Sequence, residues 1–268
     1  TGEIPMSLFN LSGLTAFDVD SNKLTGFVEL DWFVSAPNLV LLSLSENFLT
    51  VKENRVRFDN LKFLELGECN MKNFPFLSNQ SVLKTLLLAD NQIEGRIPSS
   101  LPETLVLLDL GQNNLSSSIP GDLMGKLTSL IMFSLANNRL EGEIPPSLCN
   151  ALSLAYLVFS GNNLQGSIPS CLPRNLSKLS MFAVFSNNLS GPIPDTFHES
   201  CMLQVLAAGD NRIGGLIPKT LRHCKILTTL DLPRNMILDT FPCHLMGLRG
   251  LISVDLSDNF LHGDISCI

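Results

Sequence analysis

Apolar positions recur along the whole chain in one fixed arrangement. They fill the first, fourth and sixth places of an LxxLxLxx stretch that runs directly into NxLxGxIP, whose Asn is a polar place. The cleanest copy is Leu83, Leu86, Leu88, Asn91, Ile93, Gly95, Ile97 and Pro98. The polar "ladder" place falls at Asn22, Asn47, Cys69, Asn91, Asn113, Asn138, Asn162, Asn187, Asn211, Asn235 and Asn259, at intervals of 22 to 25 residues. A period of that length marks a chain built from stacked supersecondary units that cannot bury their apolar faces alone.

Each place has a mechanical reason. Period-two alternation turns the central Leu pair inward and the residues between outward, as in a short strand. Successive strands then stack in parallel about 4.8 Å apart. The turn after each strand holds backbone groups that need partners, and an Asn amide both donates and accepts. Cys69 offers only a weak S–H donor, so its turn is expected to be less well satisfied. The Gly and Ile-Pro pair shape a second extended segment, because proline fixes φ and tolerates a missing donor. Pro146 to Leu152 is expected to form a short helical or 3-10 piece on the convex side, and the 22-residue copies around Cys69, Asn91 and Asn113 leave less room for helix. The predicted fold is an α/β-type repeat: a leucine-rich-repeat solenoid with a parallel concave β-sheet and short helical, 3-10 or extended convex segments.

The 268 residues are 45% hydrophobic and 16% charged, too apolar for a disordered chain. The net charge of −7 argues against nucleic acid or an anionic membrane as partner. No apolar run is long enough to span a bilayer, and the charged and apolar regions of a secretory signal are missing. Thr1 to Pro5 reads as the tail of a repeat whose strand is absent, and Ile268 falls inside another, so 1–268 is expected to be one array of about eleven repeats without terminal caps.

Six of the seven cysteines fall at matching places in neighbouring repeats: Cys149 with Cys171, Cys201 with Cys224, and Cys243 with Cys267. One strand spacing suits a disulfide, the alternative being buried free thiols; Cys69 is left over. No CxxC or paired His suggests zinc. N-glycosylation sequons lie at Asn10, Asn79, Asn114, Asn175 and Asn188, of which Asn114 and Asn188 directly follow a ladder Asn. Sequons and stacked cysteines together favour an oxidising, secreted compartment.

The GxIP form of the repeat resembles plant extracellular leucine-rich repeats. The blocks CNMKNFPFLSNQSVLKTLLLADNQIEGRIP (69–98), NNLSGPIPDTFHESCMLQVL (187–206) and NMILDTFPCHL (235–245) resemble successive blocks of plant receptor-like proteins, which carry a repeat ectodomain, one membrane span and no kinase domain. His244 and Cys243 depart from the family's usual residues. The resemblance implies an internal section of a receptor ectodomain on the extracellular side of the plasma membrane. It would bind a peptide, protein or glycan cue in defence or development and signal through partner receptor kinases. Two other readings stay open: an extracellular inhibitor of a pathogen polygalacturonase, and the ectodomain of a receptor kinase.

Outward places on the concave face are counted back from each ladder residue. Places four, two and one before it are expected to be the most exposed, and place six to be half-buried. On this count the first half is acidic, with Asp18, Asp20, Glu46, Glu65, Glu68, Asp90 and Asp109. The middle is apolar, with Met132, Tyr156, Val158, Met181, Ala183, Phe185, Val205 and Ala207. Asp231, Arg234 and Asp255 continue it as a polar rim. Exposed apolar and aromatic groups gathered together mark an interaction site, so the apolar stretch with Arg234 is the candidate ligand surface. The plainer reading has Met132, Tyr156, Met181 and Val205 only shielding strand edges, and the acidic stretch as a solvated face. His198, His223, His244 and His262 lie off the strands with no convergent Ser and carboxylate, so neither catalysis nor a cofactor is expected.

Overall fold

The computed structural model describes residues 1–77, 80–264 and 267. The chain forms two compact units, Thr1–Ser116 and Ser117–Ile268.

In the first unit the three-residue strands Ala16–Asp18, Leu41–Ser43, Phe63–Glu65, Thr85–Leu87 and Leu107–Asp109 lie side by side in sequence order. All are parallel, pairing Phe17 with Leu42, Leu42 with Leu64, Leu64 with Leu86 and Leu86 with Leu108. These central residues point inward and are fully or nearly fully buried, as are Leu44, Leu66, Leu88 and Leu110 two places on. After the turn, Thr25–Glu29 pairs with Phe48–Lys52, and Glu94–Gly95 pairs with the start of Asn114–Ser118. The back of the unit has 3-10 turns at Met6–Asn10 and Leu30–Ser35. Phe9 packs on Trp32 and Phe33 at 5.2 and 4.9 Å there. Among the described residues from Ala36 to Ser116 no helical turn forms, in keeping with the short repeats in that stretch.

The second unit repeats the plan with Met132–Ser134, Tyr156–Val158, Met181–Ala183, Val205–Ala207, Thr229–Asp231 and Ser253–Asp255, again parallel and in order. Behind the turns a second parallel sheet runs through Arg139–Glu143, Asn163–Gly166, Asn188–Pro192, Arg212–Gly215 and Met236–Ile237. The back carries helical turns at Gly121–Met124, Pro146–Asn150, Cys171–Asn175, Lys219–His223 and Cys243–Leu245. Cys149–Cys171, Cys201–Cys224 and Cys243–Cys267 are disulfides linking neighbouring repeats, with Cα separations of 5.9, 4.7 and 5.3 Å.

The ladder amides tie repeats together as well as closing their own turns. Asn162 Nδ2 donates to Phe159 O and Ser160 O in its own turn and to Leu135 O of the preceding repeat, while its Oδ1 accepts from Leu140 N. Asn91, Asn211 and Asn235 do the same. Cys69 reaches only two carbonyls through sulfur, Leu44 O at 3.6 Å and Gly67 O at 3.4 Å. Burial, with the Glu68 charge behind it, pushes its thiol pKa up to about 12, so it stays neutral.

The residue before every ladder position has a positive φ: Ser21, Glu46, Glu68, Asp90, Gln112, Asn137, Gly161, Ser186, Asp210, Arg234 and Asp258. That left-handed step turns the chain out of the strand, and only Gly161 makes it without a side-chain cost. Gly161 is needed for a second reason, since a Cβ there would collide with Asn137 Oδ1.

Candidate ligand-recognition face

The outward side chains of the second unit's strands fall into rows fixed by register. Six places before the ladder stand Met132, Tyr156, Met181, Val205, Thr229 and Ser253; four places before stand Ser134, Val158, Ala183, Ala207, Asp231 and Asp255. The backbone continues the ladder beyond the strands, as Gly161 N donates to Phe185 O, Ser186 N to Gly209 O and Asp210 N to Pro233 O. That brings Ser160, Phe185, Gly209 and Pro233 into a third row.

The exposures that counting back from the ladder predicts hold at Met132, Met181, Val205 and Phe185 and fail at other places. Ala183 and Ala207, expected to be open, are 5% and 9% exposed. Their methyls are too short to rise between longer side chains on neighbouring strands, so they are floor and not free contact points. Tyr156, expected to be half-buried, is 44% exposed, because its ring outreaches Met132 and Met181 on either side. Phe185 is 42% exposed, while Ser160, Gly209 and Pro233 in its row are buried. Val158, Met132, Met181 and Val205 are half-buried. Tyr156 and Phe185 therefore stand as the two prominent rings of this face, either side of the low row of Val158, Ala183 and Ala207.

The polar end has its own electrostatics. Arg234 grips Asp210 with Nε on Oδ1 and Nη2 on Oδ2, the second at 2.6 Å, and this bidentate pairing holds the Asp210 carboxyl below the usual range. Asp255 accepts from the Ser257 hydroxyl and backbone N at 2.7 and 2.9 Å, which lowers its pKa too. Asp231, beside Asp255 in register, is pushed the other way, by desolvation first and then by the Asp255 charge.

The first unit presents a different face. Asp20, Glu46, Glu65, Glu68, Asp90 and Asp109 line a shallow recess of about 210 Å³ with Ser45, Gly67, Leu87 and Ala89. Burial raises the Glu65 pKa, against the bond from Ser43, and Asp18 and Asp20 add to it; burial and Asp109 raise that of Asp90. These carboxylates repel one another and are held on a common surface by the backbone.

The remaining polar candidates serve the framework. His223 Nδ1 lies 3.1 Å from Phe197 O, His244 Nε2 lies 3.1 Å from Pro218 O, and His198 Nδ1 accepts from Ser200 N. No group of His, Cys, Asp and Glu able to hold a metal ion occurs among the described residues. Of the sequons, Asn10 and Asn175 are exposed and close short helical turns, Asn114 and Asn188 are half-buried at strand starts, and Asn79 lies outside the described residues. No helix among the described residues is long and apolar enough to cross a membrane.

Relatives of the chain share this architecture. The leucine-rich repeat family model matches residues 82–103, 129–151 and 153–175. Receptor-like protein 32 of Arabidopsis thaliana is 30% identical over 140 residues, covering 48% of this chain and 16% of its own length. Among solved structures, a TDR receptor superposes with a TM-score of 0.87 at 30% identity, over 97% of this chain and 46% of its own. The Arabidopsis receptor kinase HAESA, solved in complex with the peptide hormone IDA and the co-receptor SERK1, gives a TM-score of 0.74 at 25% identity, over 98% of this chain and 52% of its own. The chain thus spans about half the length of these solved ectodomains and about a sixth of the curated relative.

Proposed function

From the premise that the chain is a leucine-rich-repeat array of the plant receptor type, we propose that it is the ligand-recognition part of a kinase-less cell-surface receptor. In this reading it faces the extracellular side of the plasma membrane, takes a peptide or protein cue, and passes the signal to partner receptor kinases. The single observation that carries the reading is the pair of exposed rings, Tyr156 and Phe185, standing over a floor of buried small residues on the strand face. Inward places are apolar in every repeat and serve the core, whereas these two outward rings stay 44% and 42% exposed. Aromatic groups presented on a rigid sheet are efficient anchors, because they bury much area at little entropic cost. A receptor-like protein and a receptor kinase solved with a peptide hormone, both among its relatives, support ligand recognition.

The test is binding of peptides from extracellular wash fluid, read by mass spectrometry after capture on the immobilised chain, with a matched double variant. Phe185→Ser with Val158→Ser should cut captured peptide by at least about tenfold while leaving the melting temperature nearly unchanged. A large fall in melting temperature would make these residues core, and undiminished capture would move recognition off this face.

A further inference from the structure

The strand face of the second unit is a channel with chemically distinct ends. Its floor is Ser160, Ala183, Ala207 and Gly209, all buried. One wall is the row of Tyr156, Met181 and Val205, and the other is Phe185 followed by the Asp210–Arg234 pair. Past Ala207 the floor row continues in register into Asp231 and then Asp255.

Two polar groups in this channel lack what their neighbours have. Asp210 has Arg234 and Asp255 has Ser257, but Asp231 has no donor among the described residues and is both partly desolvated and beside a like charge. Arg234 bonds Asp210 and acts on Asp231 only through its charge, which lowers the Asp231 pKa but is outweighed by burial and Asp255. Counting Asp258, four carboxylates at this end meet one guanidinium. At the apolar end Ser160 Oγ, on a residue 1% exposed and at an outward place by alternation, has no hydrogen-bond partner. A buried hydroxyl without a partner is uncommon, and Ser160 Oγ could bond a group that displaced the side chains over it.

We propose that this channel reads an extended peptide in which an apolar side chain lies three or four residues from a lysine or arginine. The apolar group rests between Tyr156 and Phe185, the cation sits against Asp231 and Asp255, and the peptide backbone passes over Ser160. The spacing follows from geometry. The strand ending at Ala183 is two steps from the one ending at Asp231 and three from the one ending at Asp255. Strands lie about 4.8 Å apart, so the span is roughly 10 to 14 Å, and an extended peptide covers roughly 3.3 Å per residue. An acidic ligand is repelled at the far end, and a neutral glycan leaves Asp231 as it is. The inference rests on the reading above that this face is the recognition surface.

A displayed library of random heptapeptides, selected on the full chain, tests it. Enriched sequences should carry Lys or Arg three or four places from an aromatic or aliphatic residue. Selection on Asp231→Lys with Asp255→Lys should replace that cation by Asp or Glu at the same spacing. A synthetic copy of the best peptide should bind roughly tenfold more weakly to Asp231→Asn/Asp255→Asn, an isosteric change that also relieves repulsion in the free chain. Peptides lost with Phe185→Ser but indifferent to the double Asn variant overturn the cation site and leave the recognition face standing. Peptides indifferent to both variants, or no enrichment at all, overturn both.

Discussion

The two units share apolar inward places and ladder turns and differ in what they turn outward and in how they close behind. In the first, the strand face is acidic and the described residues from Ala36 to Ser116 form no helical turn; its one cysteine, Cys69, is a buried thiol in the ladder. In the second, the strand face carries rings over small residues, most repeats turn back through a helical turn, and three disulfides link neighbours. A stack in which each repeat touches only its neighbours allows such divergence, because a change in one repeat is felt one or two repeats away and no further. Cohesion therefore resides in the ladder and core, and identity in the outward and back positions.

The comparison breaks hardest at the ladder. Asn162→Ala removes three amide donations to carbonyls and the acceptor for Leu140 N, two of the links reaching the preceding repeat. Leaving those buried groups unpaired should cost about 4 kcal/mol. Cys69→Ala, which gives up only two sulfur contacts, should cost about 1 kcal/mol. Denaturant titration decides it, and equal losses would mean that cohesion lies in the leucines alone. Next in size is Cys201→Ala with Cys224→Ala, which opens a loop of 23 residues and should cost about 3 kcal/mol. Hydrogen exchange should show that loss in the second unit, with the amides of Leu66 and Leu88 in the first unchanged. Loss spread evenly over both units would contradict nearest-neighbour coupling. Cys69→Asn should add about 1 kcal/mol by restoring a third carbonyl contact, provided the larger amide fits the space that Asn91 occupies one repeat on.

Much of this was legible in the residues. The period gave the strands and turns because Leu and Asn are the side chains the buried places require, and matching cysteine offsets in consecutive repeats placed the pairs. What escaped is instructive. The left-handed step before each ladder residue is taken by Ser, Glu, Asp, Gln, Asn and Arg, so the usual glycine signal appears only at Gly161. The ladder amides' reach into the preceding repeat follows from stacking and has no sequence mark. Exposure of the outward rows depends on relative side-chain length across strands some 24 residues apart, which is why Ala183 sank and Tyr156 stood clear. Ser160 is at an outward place by alternation, yet it is buried.

The finest separation of the two units is by pH. In the first, Glu65 and Asp90 are raised, both by burial before anything else. In the second, Asp210 is lowered by Arg234 and Asp255 by Ser257; at Asp195 burial is outweighed by bonds from Thr220, and only Asp231 is raised. A raised carboxyl takes up its proton more readily folded than unfolded, so stability increases as pH falls into the window between its unfolded and folded values. A lowered carboxyl contributes stability above its unfolded value and loses it as pH falls through the folded one. From neutrality toward the ordinary carboxylate range, exchange protection at Leu66 and Leu88 should therefore rise slightly. At Ala208 and Leu232, bonded to the carbonyls of Asp231 and Asp255, opposite shifts should leave protection level and then lower it. Glu65→Gln should flatten the rise in the first unit, since it removes the charge and keeps an acceptor for Ser43. A rise of equal size in both units would mean that overall net charge governs the response and that the local arrangement of each face does not.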